Sequence, residues 1–200
     1  MLGTDSDVID TLAEIEPGSA LDAIRHRRPE ARNQAQASYR ALFAPQTPGD
    51  VTPTERFAVA AFVTGLHGGA EMAAFYAARL AASGASVDFC RAVDAAIEAA
   101  KGQGPYGVYP AGPLSREDSP GSAHRVAAEA RGVLGARLAA AFDHTHMLVY
   151  HPRDAAPAAL QELLDAGWST TGIVTLSQIA AFLSFQIRVV AGLRVLAGVG

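Results

Sequence analysis

The spacing of apolar residues along this 200-residue chain follows the helical period almost throughout. Apolar positions recur three and four residues apart, whereas the two-residue alternation typical of strands is scarce. The pattern therefore predicts an all-α protein. Several helix starts are visible, since Ser6, Ser19 and Ser86 each precede an apolar helical segment, and Pro29 begins a helix that runs to about Phe43.

The most distinctive segment runs from Thr52 to Leu80, where two predicted helices meet at a pair of glycines. Thr52 is a suitable N-cap, and Glu55 three residues later completes a capping box. Apolar residues recur at helical spacing on both sides of Gly68-Gly69, which breaks the helix. The segment therefore predicts a helical hairpin with a glycine elbow.

Two later segments complete the predicted organisation. The segment Gly102 to Ser122 is rich in glycine and proline, and so long a loop in a compact domain is usually functional or disordered. A long helix follows, which Pro152 ends, and a closing helical unit reaches the C-terminus. Within that unit Gly167 to Ile187 is uncharged and long enough to cross a bilayer, but its polar stripe favours a central or interface helix without a membrane partner.

The hairpin and the closing unit resemble the carboxymuconolactone decarboxylase superfamily, which contains the AhpD-like alkylhydroperoxidases. The residues that carry this resemblance are the Thr-Pro-x-Glu helix start at Thr52 and, in Pro152 to Leu196, an Ala-Gly-aromatic-Ser turn followed by an apolar helix with Arg188 near its end. The resemblance implies an AhpD-like helical bundle over residues 51–200, preceded by an N-terminal helical extension over residues 1–50. It also implies a homo-oligomer, a trimer or a hexamer.

The chain departs from that family at the positions of its peroxidase chemistry. The peroxidase pattern is a glutamate, eleven residues, Cys-x-x-Cys, three residues and a histidine. Here Phe57 stands in the glutamate position, Gly69 and Met72 in the cysteine positions, and Tyr76 in the histidine position. A disulfide-cycling peroxidase requires an attacking and a resolving thiol, so this reaction is not expected at the elbow.

The remaining candidate chemistry at the elbow involves His67, Glu71, Tyr76 and Arg188. His67 and Glu71 either share a face, so that the carboxylate raises the basicity of the imidazole, or are separated by the glycine break. Tyr76 either donates a hydrogen bond into the same pocket or packs in the core. Arg188 either lines the pocket or binds a structural carboxylate, because an unpaired buried arginine is costly.

Two functions remain open at this point. The first is a cysteine-independent acid–base enzyme acting on a small carboxylate, with His67 as acid or base and Glu71 as its orienter. The second is a non-catalytic subunit or ligand-binding module that pairs with a cysteine-bearing homologue. No cofactor is expected for either.

Composition narrows the choice of partners. Only 18% of residues are charged, below the roughly 25% usual for soluble chains, which favours a surface partly covered by other subunits. The net charge of −4 argues against nucleic acid. The N-terminus has no signal-peptide pattern, which indicates a cytoplasmic location.

Cysteine and histidine residues elsewhere give no predicted site. Cys90, the only cysteine, is predicted to pack in the core, and its lack of a partner excludes an internal disulfide. Asp143, His144 and His146 are interpreted as solvated helix flanks, and His151 as a helix cap. No metal is expected, because residues two apart on a helix point in nearly opposite directions.

Overall fold

Helices account for all the regular structure in residues 6–198, the part of the chain that the computed structural model describes. This confirms the all-α prediction. Two short 3-10 turns span Pro113–Glu117 and Pro152–Asp154. The helices are α1 Val8–Leu12, α2 Ala20–His26, α3 Pro29–Phe43, α4 Pro53–Leu66, α5 Ala70–Ala82, α6 Val87–Ala100, α7 Ala128–Tyr150, α8 Pro157–Asp165 and α9 Thr170–Leu196.

Side-chain caps set most of the predicted helix starts. The Thr52 hydroxyl accepts from the Glu55 N–H, and the Glu55 carboxylate accepts from the Thr52 N–H at 2.8 Å, so the predicted capping box is confirmed. Ser19 and Ser86 cap α2 and α6 as predicted. The cap of α1 is Asp7 rather than Ser6, because the carboxylate of Asp7 accepts two backbone N–H groups and stabilises the positive end of the helix.

Helix α4 lies at the centre of the molecule and contacts α5, α6, α7 and α9. Ten of its fourteen residues are buried, so it is a core helix without a solvated face. Small residues allow this close packing: a Cβ atom added to Gly65 would lie 2.6 Å from Ile97 of α6. On its other side, Phe62 stacks on Phe142 of α7 with ring centroids 4.2 Å apart.

A buried arginine fixes the loop that leads into α4. Arg56 is 5% exposed, and its guanidinium donates to the backbone carbonyls of Leu42, Pro48 and Val51 at 2.7, 2.8 and 3.0 Å. The loop between α3 and α4 therefore wraps around one side chain, which satisfies three carbonyl groups, two of them in buried hydrogen bonds.

The predicted N-terminal extension packs on the core that α4 organises. Helices α1 and α3 both contact α9, and their buried apolar residues belong to the same cluster as those of α4. Ion pairs hold the extension together, since Arg25 binds Asp7 and Asp10 at 2.7 Å each and Arg32 also reaches Asp10. The position of a domain boundary near residue 50 stays a prediction.

Helix α9 is, by length and composition, apolar enough to cross a membrane, and 39% of its most apolar window is buried in the structure. It contacts α1, α3, α4, α7 and α8, so one side of it is a core element. Its other side carries exposed apolar side chains, namely Val174, Phe185, Val195 and Leu196.

Candidate functional site

The glycine elbow between α4 and α5 forms where the sequence predicts it. His67 is the C-cap of α4, Gly68 has φ of +76°, and Gly69 is the N-cap of α5. Glycine adopts a positive φ without steric cost and therefore commonly ends helices, so Gly68 accounts for the break.

The elbow does not bring His67 and Glu71 together. Glu71 forms an ion pair with Arg194 of α9, whereas His67 Nε2 lies 3.4 Å from the Ser184 hydroxyl. Burial and the charge of Arg188 lower the pKa of His67, whereas a carboxylate orienter would raise it. Of the two alternatives for this pair, the structure therefore shows separation by the glycine break, with Glu71 directed toward α9.

Tyr76 and Arg188 are also not directed at a shared pocket. Tyr76 is fully buried, its hydroxyl donates to Gln186 Oε1 at 2.7 Å, and burial raises its pKa well above the usual value. Arg188 is exposed and donates to the Ser184 carbonyl of its own helix at 2.6 Å. In residues 6–198 we find no carboxylate partner for Arg188. A catalytic role for these elbow residues stays a prediction.

The largest cleft described, about 610 Å³, lies between α3, α4, α5 and the N-terminal segment. Its walls are mainly apolar and include Tyr39, Phe43, Phe57 and Phe75. Arg79 stacks over Phe75 at 3.5 Å. No histidine or carboxylate is among the described residues that line it.

A cluster of polar residues lies instead between the C-terminal half of α7 and the loop that precedes it. Asp143, His144 and His146 are 5–8% exposed, so their interpretation as solvated helix flanks is wrong. His151 is the C-cap of α7 as predicted and is also buried. The reason is that the loop from residue 101 to 127 folds back over α7, which also contacts α4, α6, α8 and α9. The loop contributes His124, whose side chain is 10% exposed.

Asp143 holds this loop against α7. Its Oδ1 accepts from the Val126 N–H at 2.8 Å, and its Oδ2 accepts from Arg131 at 3.0 Å. Burial raises the pKa of Asp143, while the Val126 hydrogen bond and the nearby cations lower it. The carboxylate therefore acts as an anchor that fixes the position of His124, which precedes Val126 by two residues.

The imidazole of His146 is the centre of the cluster. Its ring centroid lies 4.7 Å from that of His124 and 5.6 Å from that of His151. Burial, with smaller contributions from positive charge on His124 and His151, lowers the pKa of His146 to about 4. His146 is therefore neutral at pH 7.

His151 and Asp154 form an acid–histidine pair beside this ring. His151 Nδ1 lies 3.1 Å from Asp154 Oδ2, and Asp154 Oδ1 accepts from the Val108 N–H at 2.8 Å. Since a carboxylate only accepts, Nδ1 carries the hydrogen and Nε2 presents a lone pair. That Nε2 atom is buried and has no hydrogen-bond partner in the structure. Tyr106 stacks on the ring at 4.8 Å and fixes its plane.

Of the described clefts that His124 lines, two also contain other residues of this polar cluster. The first, about 350 Å³, is lined by residues of α7, α8 and the 3-10 turn, among them Asp143, His144, His151, Asp154 and Glu162. The second, about 370 Å³, lies between the end of α6 and the loop and is lined by Lys101, Tyr106, Arg125 and His146 among others. Both volumes fall within the range of about 300–1,000 Å³ typical of small-molecule sites.

Neither a metal centre nor a reactive thiol is found here. In residues 6–198 no group of three or more histidine, cysteine or acidic side chains is arranged to hold a metal ion. His144 and His146 face different clefts, as the helical period requires. Cys90 is half-buried against the core, less covered than predicted.

One sequence signal pointed to this site. Four of the six histidines lie between residues 124 and 151, directly after the long loop rich in glycine and proline. Comparisons of the chain with protein-family models, with curated proteins and with solved structures give no match. The function therefore has to be inferred from the geometry of the site.

Proposed function

We propose that this protein is a cysteine-independent acid–base enzyme acting on a small carboxylate, with His151 as its base. The observation that carries the proposal is the His151–Asp154 pair, 3.1 Å apart, whose buried Nε2 has no partner at the wall of a cleft of about 350 Å³. A histidine held by a carboxylate through one nitrogen is arranged to accept a proton through the other.

The reaction would be a proton transfer that needs no electron donor or acceptor. His151 Nε2 takes a proton from the substrate, and Asp154 stabilises the imidazolium that results. The same nitrogen then delivers that proton to another atom of the substrate, or first exchanges it with solvent and returns a solvent proton to the same carbon. The neutral rings of His124 and His144 line the same cleft and are available as hydrogen-bonding groups.

We also propose that helices α4 to α9 form an AhpD-like bundle. The support is the order of its parts: a capped α4, a glycine elbow, α5, and a closing α8–α9 unit with Arg188 on its last helix. In this proposal the catalytic groups lie at the C-terminal end of α7 and in the 3-10 turn that follows it rather than at the elbow. We propose a cytoplasmic location and no cofactor.

Hydrogen–deuterium exchange into a carbon acid tests the base. Pyruvate and acetoacetate would be incubated in D₂O with the protein, and loss of their C–H signals would be followed by NMR. We expect wild-type protein to accelerate exchange and the His151→Gln variant to lose about 10²–10⁴-fold of that acceleration. Asp154→Asn should lose part of it, because the ring loses its orienting acceptor.

The matched control is His26→Gln, since His26 is a surface histidine whose side chain is 61% exposed. It should exchange at the wild-type rate. Full exchange activity in His151→Gln, or no acceleration by wild-type protein with either keto acid, would contradict the proposal.

A role in assembly is the second proposal, and the exposed apolar side of α9 favours it. Phe185 is 47% exposed and, with Phe182 and Leu42, lines an apolar groove of about 580 Å³ between α3 and α9. Exposed apolar patches of this kind mark interfaces. We propose that this groove is covered in a homo-oligomer, a trimer or a hexamer, or else by a cysteine-bearing homologue that this chain serves as a non-catalytic subunit.

Light scattering distinguishes these arrangements. A homo-oligomer should be seen with the purified protein, and Phe185→Asp should dissociate it without unfolding it. A purified monomer that co-purifies from its host with a cysteine-bearing helical protein would support the subunit proposal. A wild-type monomer without such a partner would contradict both.

A further inference from the structure

The two clefts beside His124 differ in charge. Three acidic residues line the first cleft, with Arg125 as its one arginine among the described lining residues. Lys101 and Arg125 line the second, whose described lining residues include no carboxylate. The second cleft therefore suits a negatively charged ligand.

Lys101 is the cation best placed to bind such a ligand. It follows the last residue of α6, at the mouth of the cleft, and it is the only lysine among the sixteen basic residues of the chain. Its Nζ lies 2.6 Å from Glu98, and the two side chains are 49% and 69% exposed. Exposed pairs of this kind contribute about 0–1 kcal/mol, so the ammonium can turn to an entering anion at little cost.

Arg125 is less available for this role. Its guanidinium binds both oxygens of Glu162, at 2.8 and 2.9 Å, and also approaches Asp143 in the first cleft. The Tyr106 hydroxyl is committed as well, since it donates to the Ser122 carbonyl at 2.8 Å.

His146 supplies an acceptor on the inner wall of the same cleft. The residue is 5% exposed, and its Nδ1 has no hydrogen-bond partner in the structure. In the tautomer of the neutral ring that carries its hydrogen on Nε2, Nδ1 presents an unpaired lone pair. Such a lone pair is costly to bury, and a hydroxyl donor would satisfy it.

We propose that the second cleft binds a small 2-hydroxy carboxylate. The carboxylate pairs with Lys101, and the hydroxyl donates to His146 Nδ1. That the ligand is a carboxylate rests on the proposed function. Its hydroxyl group and its position are inferred from the residues that line this cleft. The ring centroids of His146 and His151 lie 5.6 Å apart, although His151 lines the first cleft and not the second.

The single lysine permits a direct binding experiment. Reductive methylation with ¹³C-formaldehyde labels Lys101 and the N-terminal amine, and both amines keep their charge. Titration with glycolate should shift the Lys101 signal to saturation and leave the N-terminal signal unchanged. Acetate, which lacks the hydroxyl, should bind about fivefold more weakly, because a neutral hydrogen bond contributes about 0.5–1.5 kcal/mol.

Variants test which residue binds the carboxylate of the ligand and which binds its hydroxyl group. By calorimetry, Lys101→Gln should weaken glycolate and acetate alike by about tenfold, since charge-assisted bonds exceed neutral ones. His146→Phe should remove the preference for glycolate over acetate, and His146→Gln, which keeps an acceptor, should retain part of it. Arg91→Gln, which removes a surface cation of the same helix, should change neither affinity.

Several outcomes would overturn the assignment. They are an unsaturable Lys101 signal, equal affinity for glycolate and acetate, or inorganic phosphate binding as tightly as glycolate, which would indicate a general anion site. Because these experiments measure binding and not turnover, they test this site independently of the proposed function. Saturable glycolate binding with no keto-acid exchange would contradict only the His151 chemistry, and exchange without such binding would contradict only this site.

Discussion

Lowering the pH from 7 to 5 is expected to destabilise the folded protein through His146. The pKa of this histidine is about 4 in the folded protein, against 6.5 for an ordinary histidine. Between those values the unfolded chain binds a proton that the folded chain does not. The free energy of unfolding therefore falls as the pH falls through this window, and the loss is complete below pH 4.

The size of the stability loss follows from the width of the pH interval over which only the unfolded chain binds this proton. One pKa unit corresponds to about 1.4 kcal/mol, so the interval from pH 6.5 to pH 5 would cost about 2 kcal/mol in full. Water in the adjoining cleft screens part of this charge, which reduces the expected loss to about 1–2 kcal/mol. The cause is structural, because the ring is buried between His124 and His151 and a proton on it would lie beside both.

Two measurements test this prediction. Histidine ring NMR signals followed against pH should place the midpoint of His146 near 4, and urea unfolding at pH 7 and pH 5 gives the loss of stability. His146→Gln should lose about 1–2 kcal/mol less than wild type over this interval. The exposed His26→Gln variant should lose as much as wild type. A His146 midpoint of 6 or higher, or an unchanged loss in His146→Gln, would refute the reasoning.

Other substitutions have equally definite expected outcomes. Tyr76→Phe should cost about 1–3 kcal/mol in urea unfolding, because Gln186 loses its partner in the core, and adding Gln186→Leu should recover most of that cost; a neutral Tyr76→Phe would contradict a structural role. Arg56→Met should cost about 3 kcal/mol or more, because three carbonyls, two of them buried, lose their donor; an unchanged urea midpoint would contradict this. Gly121→Ala should impair keto-acid exchange more than stability, because its Cβ would overlap the Tyr106 ring and displace the loop. Cys90→Ser should change no activity, and neither protein should turn over alkyl hydroperoxide with a thiol donor; peroxidase activity lost in the variant would refute this.

Local signals were sufficient to predict most helices and several of their ends. A capping box is completed within four residues, and the glycine elbow depends on the φ angle of Gly68 alone. The bounds of α3, from Pro29 to Phe43, and the Ser86 cap of α6 are likewise as predicted. Ser6 and Asp7 are neighbouring candidates for the N-cap of α1, and the sequence-based prediction of Ser6 was wrong.

The candidate site depended on contacts that no local pattern contains. The polar residues on α7 are buried because the loop before it returns to bind them, through Val126 to Asp143 and through Val108 to Asp154. Each of these bonds joins residues 17 to 46 positions apart, and neither the helical period nor a capping rule specifies such a pairing. The sequence by itself therefore determined which segments are helical, because helix formation is governed by neighbours within one or two turns. The tertiary structure alone decided which histidines are buried, neutral and directed at a cleft, because burial and pKa depend on what distant parts of the chain place around a group.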